Sequence, residues 1–181
     1  MMATTMTDEE SLQRAIHEDV GLHAYNPQWP AFFAAESKRL TRLFPQMLSI
    51  EHIGSTAVEG LSAKPIIDLM AGVASMDVAL TLAAPLSRSG YTTSAEFNVS
   101  LTDRQWFMRW ADGHRTHHLH VVVHGGAVWQ GRLKFRVALR GNAEIAAKYL
   151  QLKQRMATEH THDREAYTRA KAAFVQSVVA M

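Results

Sequence analysis

The sequence predicts an α+β domain in which a mixed β-sheet is backed by helices and followed by a helical C-terminal portion. Segments with strand-like and helix-like patterns alternate over roughly the first two thirds of the 181 residues. Beyond Gly125 and Gly126 the apolar spacing is helical throughout. No shift in composition divides the chain, so we predict one domain at residues 21–181 after an N-terminal tail or extension at residues 1–20.

The elements follow from apolar spacing and from residues that begin or end them. Residues 29–44 predict a helix that Pro30 begins and that covers one face of the sheet. Strands are predicted at 47–53 and 66–73, followed by a helix at 75–87 that Pro85 kinks or ends early. Gly90 then leads into an extended segment at 91–97.

A hairpin and three helices complete the predicted fold. The dipeptide Asp112-Gly113 is typical of tight turns between antiparallel strands, which we place at 105–111 and 117–123. Helices are predicted at 128–140, 143–158 and 164–179.

Composition narrows the function classes. Lys and Arg number 19 against 17 Asp and Glu, and the resulting net charge of +2 is too small to predict a nucleic-acid partner. The absence of cysteine excludes disulfides and thiolate metal sites. No apolar run reaches the roughly 20 residues that span a bilayer, and the first residues lack a signal-peptide pattern. We therefore expect a cytoplasmic protein without a membrane partner, and the oligomeric state stays open.

The most informative segment is EHIGSTAVEGLSAKPIID at residues 51–68, which joins two predicted strands through a short turn. Gly54 allows backbone N–H groups to approach an anion, and the hydroxyl of Ser55 can donate to it. A helix that begins at Thr56 would add partial positive charge, and Lys64 could neutralise a phosphate directly. The turn is therefore a candidate phosphate-binding site.

The same residues resemble the signature of the GrpB family, which is grouped with the nucleotidyltransferase fold of polymerase-beta-like enzymes. The resemblance extends over most of the chain, through YNPQW at 25–29, HHLH at 117–120, Phe135-Arg136, Leu139-Arg140, Tyr149, Leu152-Lys153, Tyr167 and Lys171. It implies a nucleotidyltransferase-like sheet and a reaction in which divalent ions, held by strand carboxylates, assist transfer of a nucleotidyl group from a triphosphate.

Asp68 is the leading candidate for a catalytic and metal-binding residue, with Lys64 beside it. Strand alternation places Asp68 and Met70 on one face of the second strand. A carboxylate inside an apolar strand needs a cation, a hydrogen-bond network or a cleft beside it, and a structural salt bridge is the alternative. The resemblance implies an acid at the position of Met70, where a thioether is a poor ligand for Mg²⁺.

Two histidines offer a different metal set. His118 and His120 project from one face of their strand, and with Asp68 they would form a group that suits Zn²⁺, Mn²⁺ or Fe²⁺ better than Mg²⁺. His52, directly before the turn, is a further candidate metal ligand or phosphate donor. We thus predict a divalent metal cofactor, Mg²⁺ or Mn²⁺ with Zn²⁺ as the alternative, while histidines that line a pocket without metal are equally consistent with the pattern.

Basic side chains supply candidate partners for the charge of a ligand. Arg136 and Arg140 lie four residues apart on one helix face, a spacing that lets both reach one polyanion, although a solvated helix face is the alternative. The other members of the predicted binding set are Arg115, Lys153, Tyr167 and Lys171.

We therefore expect a GrpB-like protein that binds a nucleotide or another phosphorylated small molecule. The resemblance adds nucleotidyl transfer with a divalent metal as the activity to test. Two alternatives stay open. One is a non-catalytic nucleotide-binding or regulatory module with a depleted acid set, and the other is a metal-dependent phosphohydrolase that uses His118, His120 and Asp68.

Overall fold

The structure is a computed structural model that describes residues 6–18, 21–159 and 164–181. Its helices are α1 (Asp8–His17), α2 (Trp29–Leu43), α3 (Met76–Thr81), α4 (Ala83–Arg88), α5 (Ala95–Ser100), α6 (Ala127–Gly141), α7 (Ala143–Glu159) and α8 (Arg164–Val179). Its strands are β1 (Ser49–Ile53), β2 (Ile67–Val73), β3 (Tyr91–Thr92), β4 (Arg104–Ala111) and β5 (His114–Val123). The α+β class and the helical C-terminal portion are confirmed.

The five strands form one mixed sheet in the order β1-β2-β5-β4-β3. Strands β2 and β5 run parallel, and every other neighbouring pair runs antiparallel. The parallel register pairs Asp68 with His118 and Met70 with His120. Because side chains alternate between the faces of a sheet, these four residues share one face.

Helices cover the two faces to different extents. On the face opposite Asp68, α2, α3 and α4 bury a large apolar cluster around Leu69, Leu119 and Val121, and each such side chain stabilises the fold by roughly 1.5–3 kcal/mol. The face that carries Asp68 is only partly covered by α6, through a cluster of Ile53, Met70, Val122 and Trp129. Its polar part is therefore not fully covered, and the side chain of Asp68 is 28% exposed.

The C-terminal helices build a second apolar cluster that reaches the turn after β1. Phe135 and Tyr149 pack edge to face, with ring centroids 5.2 Å apart, and both contact this cluster from α6 and α7. Val58 and Leu61, just beyond the turn, are buried in the same cluster. The helical portion thus fixes the position of the candidate phosphate-binding turn.

The hairpin prediction is confirmed. Asp112 and Gly113 have φ angles of 51° and 79°, as a turn with two left-handed residues requires. Strand β5 begins at His114, three residues before the predicted start.

The predicted extended segment at 91–97 is wrong beyond Thr92. Strand β3 ends there, and Ser94 begins α5 by accepting a hydrogen bond from the N–H of Phe97 at 3.2 Å. The side chain of Asn98 then accepts the N–H of Trp106 at 2.9 Å. Side-chain caps of this kind compete with strand pairing, so the local pattern of alternating residues is overridden.

The helix predicted at 75–87 is divided into α3 and α4, as Pro85 indicated. Proline has no N–H to donate to the carbonyl four residues earlier, that of Thr81, so the helical ladder is interrupted. The N–H of Leu82 donates to the carbonyl of Ala79 at 3.2 Å at this junction.

The predicted N-terminal tail contains a docked helix. Thr7 caps α1 with a reciprocal hydrogen bond to Glu10. The buried hydroxyl of Ser11 accepts the indole N–H of Trp110 at 2.6 Å, and Asp8 accepts the N–H of Thr93 at 2.9 Å. The described part of the tail therefore packs against strands β3 and β4.

None of the helices in the described ranges combines the length and the apolar character needed to cross a membrane.

Candidate functional site

The turn after β1 presses its backbone against Asp68. Gly54 has a φ of +74°, and a Cβ atom placed on it would lie 2.6 Å from Oδ2 of Asp68. A short 3-10 helix, Ser55–Ala57, follows directly. Only glycine combines this left-handed backbone with so close an approach, so the turn and the carboxylate form one unit.

Two imidazoles converge on the carboxylate of Asp68. Its Oδ1 lies 3.3 Å from Nδ1 of His118 and 3.8 Å from Nε2 of His120. Burial raises the pKa of Asp68, but its interactions with the two histidines outweigh burial and hold the pKa well below its usual range. The side chain is 28% exposed. Asp68 is therefore an ionised carboxylate that a ligand can reach.

His118 is fixed by a relay that starts in the N-terminal segment. Glu18 accepts hydrogen bonds from Nε of Arg115 at 2.6 Å and from its backbone N–H at 3.1 Å. Nη1 of Arg115 lies 3.3 Å from Nε2 of His118. Since the guanidinium can only donate, Nε2 accepts and the neutral ring carries its proton on Nδ1, which faces Asp68. Arg115 thus positions a histidine of the site, and its predicted contact with a ligand stays a prediction.

His120 is neutral and incompletely satisfied. Burial and the nearby charge of Arg132 lower the pKa of His120 to about 3, although Asp68 acts in the opposite direction. Its Nδ1 is buried and has no hydrogen-bond partner in the described ranges. Because Nε2 faces the ionised carboxylate of Asp68, it carries the single proton of the neutral ring, and the unpaired Nδ1 is a hydrogen-bond acceptor.

Lys153 reaches the turn from α7. Its Nζ donates to Oγ of Ser55 at 2.7 Å and to the carbonyl of Ser62 at 3.2 Å, and it lies 4.9 Å from the ring centroid of Tyr149. Lys153 is only 5% exposed. Burial, followed by the positive charge of Lys171, lowers its pKa to about 8. Among the described residues Lys153 forms no ion pair with a carboxylate, so a buried ammonium borders the turn without a direct counter-charge.

As the sequence predicted, the glycine turn is followed by a strand that holds Asp68. Comparison with known proteins identifies the family. The family model described as "GrpB protein" matches residues 19–181. The chain belongs to the GrpB family. The crystal structure of conserved protein GrpB from Enterococcus faecalis superposes with a TM-score of 0.76 at 32% identity, covering 88% of this chain and 95% of that one.

Two bacterial relatives support the same assignment. A UPF0157 protein of Pseudomonas aeruginosa is 40% identical over 158 residues, which are 85% of this chain and 64% of that protein. A UPF0157 protein of Bacillus subtilis is 32% identical over 154 residues, or 84% of this chain and 44% of that protein. The chain thus spans about half the length of these two relatives.

A more distant match links this GrpB-family chain to part of an enzyme. Proteins named dephospho-CoA kinase from Mycobacterium bovis and Mycobacterium tuberculosis are 32% identical to it over 155 residues. The match covers 71% of this chain and only 37% of each of those proteins. The name dephospho-CoA kinase therefore belongs to proteins that are much longer than the part this chain matches.

Arg136 and Arg140 hold the turn in place in this GrpB-family protein. Nη1 of Arg136 donates to Glu51 at 2.7 Å and to the carbonyl of His52 at 2.8 Å. Nε of Arg140 donates to the carbonyl of Ala57 at 2.9 Å. These donors therefore secure both ends of the turn, and the predicted contact of the two arginines with phosphate stays a prediction.

His52 and Thr56 lie apart from the Asp68 group. Because β1 pairs Ile53 with Asp68, alternation directs His52 to the opposite face of the sheet. There its Nε2 lies 2.9 Å from Oγ1 of Thr56, and its ring stacks on Phe33. Burial lowers the pKa of His52 to about 4. The predictions that His52 joins the metal set and that Thr56 meets phosphate do not fit these positions.

The two remaining predicted lysines lie near the ammonium of Lys153. Lys64 and Lys171 are both exposed, and both lower the pKa of Lys153 through charge repulsion. The structure therefore gathers positive charge beside the turn. The side chain of Tyr167 lies outside the part of the chain that the structure describes, so its role stays a prediction.

The divalent metal stays a prediction, because the donors present fit it poorly. Met70, at the expected second acid position, is 0% exposed and packs with Ile53, Val122 and Trp129. The nitrogen of His118 that faces Asp68 carries a proton in the relay described above. No group of three His, Cys, Asp or Glu side chains within residues 6–18, 21–159 and 164–181 has the arrangement of a metal site.

Sequence reasoning missed Arg132 as a member of the site. Arg132 lies on α6 beside His120, and burial lowers its pKa. It precedes Arg136 by four residues, just as Arg136 precedes Arg140. Extending that spacing by one helical turn toward the N-terminus would have found it.

Proposed function

We propose that this GrpB-family protein binds a phosphorylated small molecule at a nucleotidyltransferase-like site, with nucleotides as the first class to test. The observation that carries the proposal is the buried ammonium of Lys153 next to Ser55. A buried charge is costly to leave unpaired, and a phosphate at this position would supply the missing counter-charge. The backbone of Gly54 would approach the same phosphate.

Asp68 complements this cationic region with one fixed acceptor. Because its pKa lies well below the usual range, it is ionised at neutral pH and accepts hydrogen bonds. A ligand that presents a hydroxyl or amino group a short distance from its phosphate would satisfy both parts of the site. Nucleotides and sugar phosphates have this combination. The distant similarity to part of proteins named dephospho-CoA kinase is compatible with such ligands.

Binding without turnover is the version of the function that the geometry supports best. Nucleotidyl transfer relies on two divalent ions held by several carboxylates, and Met70 fills one expected position with an apolar side chain. A phosphohydrolase would require a metal on Asp68, His118 and His120, where the proton on Nδ1 of His118 would first have to leave. Both activities are tested alongside binding.

A thermal-shift screen of nucleotides, sugar phosphates and orthophosphate tests the proposal, in EDTA and with Mg²⁺, Mn²⁺ or Zn²⁺. A ligand at about 100 times its Kd adds about 2.7 kcal/mol to the stability of the folded state. Lys153→Met and Ser55→Ala should abolish the shift. Lys148→Met is the matched control, because Lys148 is exposed on the same helix and pairs with Glu144 at 2.7 Å.

The outcomes separate the candidates. A shift that survives both Lys153→Met and Ser55→Ala would refute this site. Release of pyrophosphate from a triphosphate that binds, with the nucleotidyl group recovered on an acceptor other than water, would establish transfer. Release of orthophosphate, or of pyrophosphate with the free nucleoside monophosphate, in each case with water as the acceptor, would establish hydrolysis. Loss of either activity in Asp68→Asn would assign that chemistry to this site.

A further inference from the structure

A second group of polar donors lies beside Asp68 on the same face of the sheet. The antiparallel register pairs Trp106 with His120 and Arg104 with Val122. Arg104 is thus two residues along β4 from the partner of His120, and both side chains point to the face that carries Asp68. Arg132 approaches from α6, close enough for its charge to act on His120 and Asp68. We call Arg104 and Arg132 the second cationic cluster.

The donors of this cluster are poorly satisfied within the protein. Nε of Arg104 is buried and has no hydrogen-bond partner in the described ranges. Arg104 does pair with Asp103, but across 3.4 Å and with a carboxylate that is half exposed. Arg132 donates no hydrogen bond to any described residue. Buried donors are nearly always paired, so the unsatisfied Nε of Arg104, with a second guanidinium group near it, indicates a partner from outside the chain.

Electrostatics give the sign of that partner. Burial and the positive charge of Arg104 lower the pKa of Arg132, so the two guanidinium groups repel each other. Asp68 and Asp103 are the carboxylates that counter this charge. Guanidinium groups match the oxygen atoms of a phosphate group in both charge and hydrogen-bond geometry.

We propose that the second cationic cluster binds a second phosphate of the ligand, so that the ligand is a diphosphate or triphosphate and not a monophosphate. This inference rests on the proposed function, which places the first phosphate at Ser55 and Lys153. Asp68 interacts electrostatically with both Lys153 and Arg132, and it therefore links the two cationic regions. A chain of linked phosphates would extend from the turn past Asp68 to the cluster.

Isothermal titration with orthophosphate and pyrophosphate, both in EDTA, tests the inference. The wild-type protein should bind pyrophosphate at least about tenfold more tightly than orthophosphate, which corresponds to about 1.4 kcal/mol. Arg132→Gln should bring the two affinities together by weakening pyrophosphate alone. Arg104→Gln is a second variant with the same expectation. Arg155→Gln, which removes one exposed charge from α7, is the control and should retain the wild-type ratio.

Each result has a defined meaning. If pyrophosphate binds no more tightly than orthophosphate, or if the ratio survives both Arg132→Gln and Arg104→Gln, the second phosphate site is refuted while the first site stands. If neither anion binds the wild-type protein, both proposals fail. Lys153→Met should weaken both anions, so its pattern differs from that of the arginine variants.

Discussion

Replacing Lys153 by methionine removes the buried ammonium but keeps an apolar side chain of similar length. Burial and the charges of Lys171 and Lys64 lower the pKa of Lys153 from 10.5 to about 8, against the opposing attraction of Asp68. At about 1.4 kcal/mol per pKa unit, the folded state disfavours the charged form by about 3 kcal/mol. Comparing the free energies of unfolding of the wild type and Lys153→Met measures this penalty.

The sign of the effect follows from proton linkage. Below pH 8 both the folded and the unfolded protein carry the proton on Lys153, so the whole penalty is present. Between about pH 8 and pH 10.5 the folded protein releases this proton while the unfolded chain still holds it, and the free energy of unfolding rises with pH. Lys153→Met lacks this contribution, so the wild-type protein should gain up to about 3 kcal/mol relative to the variant across that range.

Urea denaturation of the wild-type protein, Lys153→Met and Lys148→Met at several pH values from 7 to 10.5 provides the assay. Effects of other titrating groups cancel in the differences between variants. The curve of Lys148→Met should run parallel to that of the wild type. If the Lys153→Met curve were also parallel, the ammonium would not be desolvated in the folded state, and the central argument for an anion at Ser55 would fail.

Three further substitutions test other parts of the structure. Gly54→Ala should lower the free energy of unfolding by at least about 1 kcal/mol, because the new Cβ would lie 2.6 Å from Oδ2 of Asp68 on a left-handed backbone; an unchanged urea midpoint would contradict the turn geometry. Glu18→Gln should reduce the fraction of His118 protonated on Nδ1, and unaltered imidazole ¹⁵N shifts would show that the relay does not set the tautomer. Glu36 on α2 is buried and forms ion pairs with Arg39 at 2.7 Å and with Arg109 at 2.5 Å. Glu36→Gln should therefore lower the free energy of unfolding in urea by about 3 kcal/mol, while ligand affinity should be unchanged.

Local patterns were sufficient for most of the fold. The Asp112-Gly113 hairpin and the break at Pro85 depend on backbone restrictions of single residues, which a sequence displays directly. The start of α5 depends on a cap by Ser94 and on a tertiary hydrogen bond between Asn98 and the following strand. The cap competes with an equally plausible strand pattern, and the partner of Asn98 lies in a different element. The sequence pattern alone therefore could not decide between a helix and a continued strand.

The site was predictable where one residue type carries the chemistry. The sequence singles out Gly54, Ser55 and Asp68 because a glycine turn and a strand carboxylate are informative by themselves, and the structure places Gly54 against Asp68. The state of Lys153 was not predictable, since its partner Ser55 lies 98 residues earlier in the chain. The relay through Arg115 was hidden for the same reason, because its anchor, Glu18, lies in the segment predicted as a tail.

The charge of the site predicts how Mg²⁺ affects the binding of a triphosphate. Asp68 and the half-exposed Asp103 face the positive charges of Lys153, Arg104 and Arg132, so the ligand itself must bring most of the negative charge. Mg²⁺ neutralises part of the charge on a nucleoside triphosphate. We therefore expect the thermal shift that the triphosphate produces to be smaller with added Mg²⁺ than in EDTA. The opposite result, a larger shift with Mg²⁺ that disappears in Asp68→Asn, would show that Asp68 holds the ion, and it would favour the transferase over the binding module.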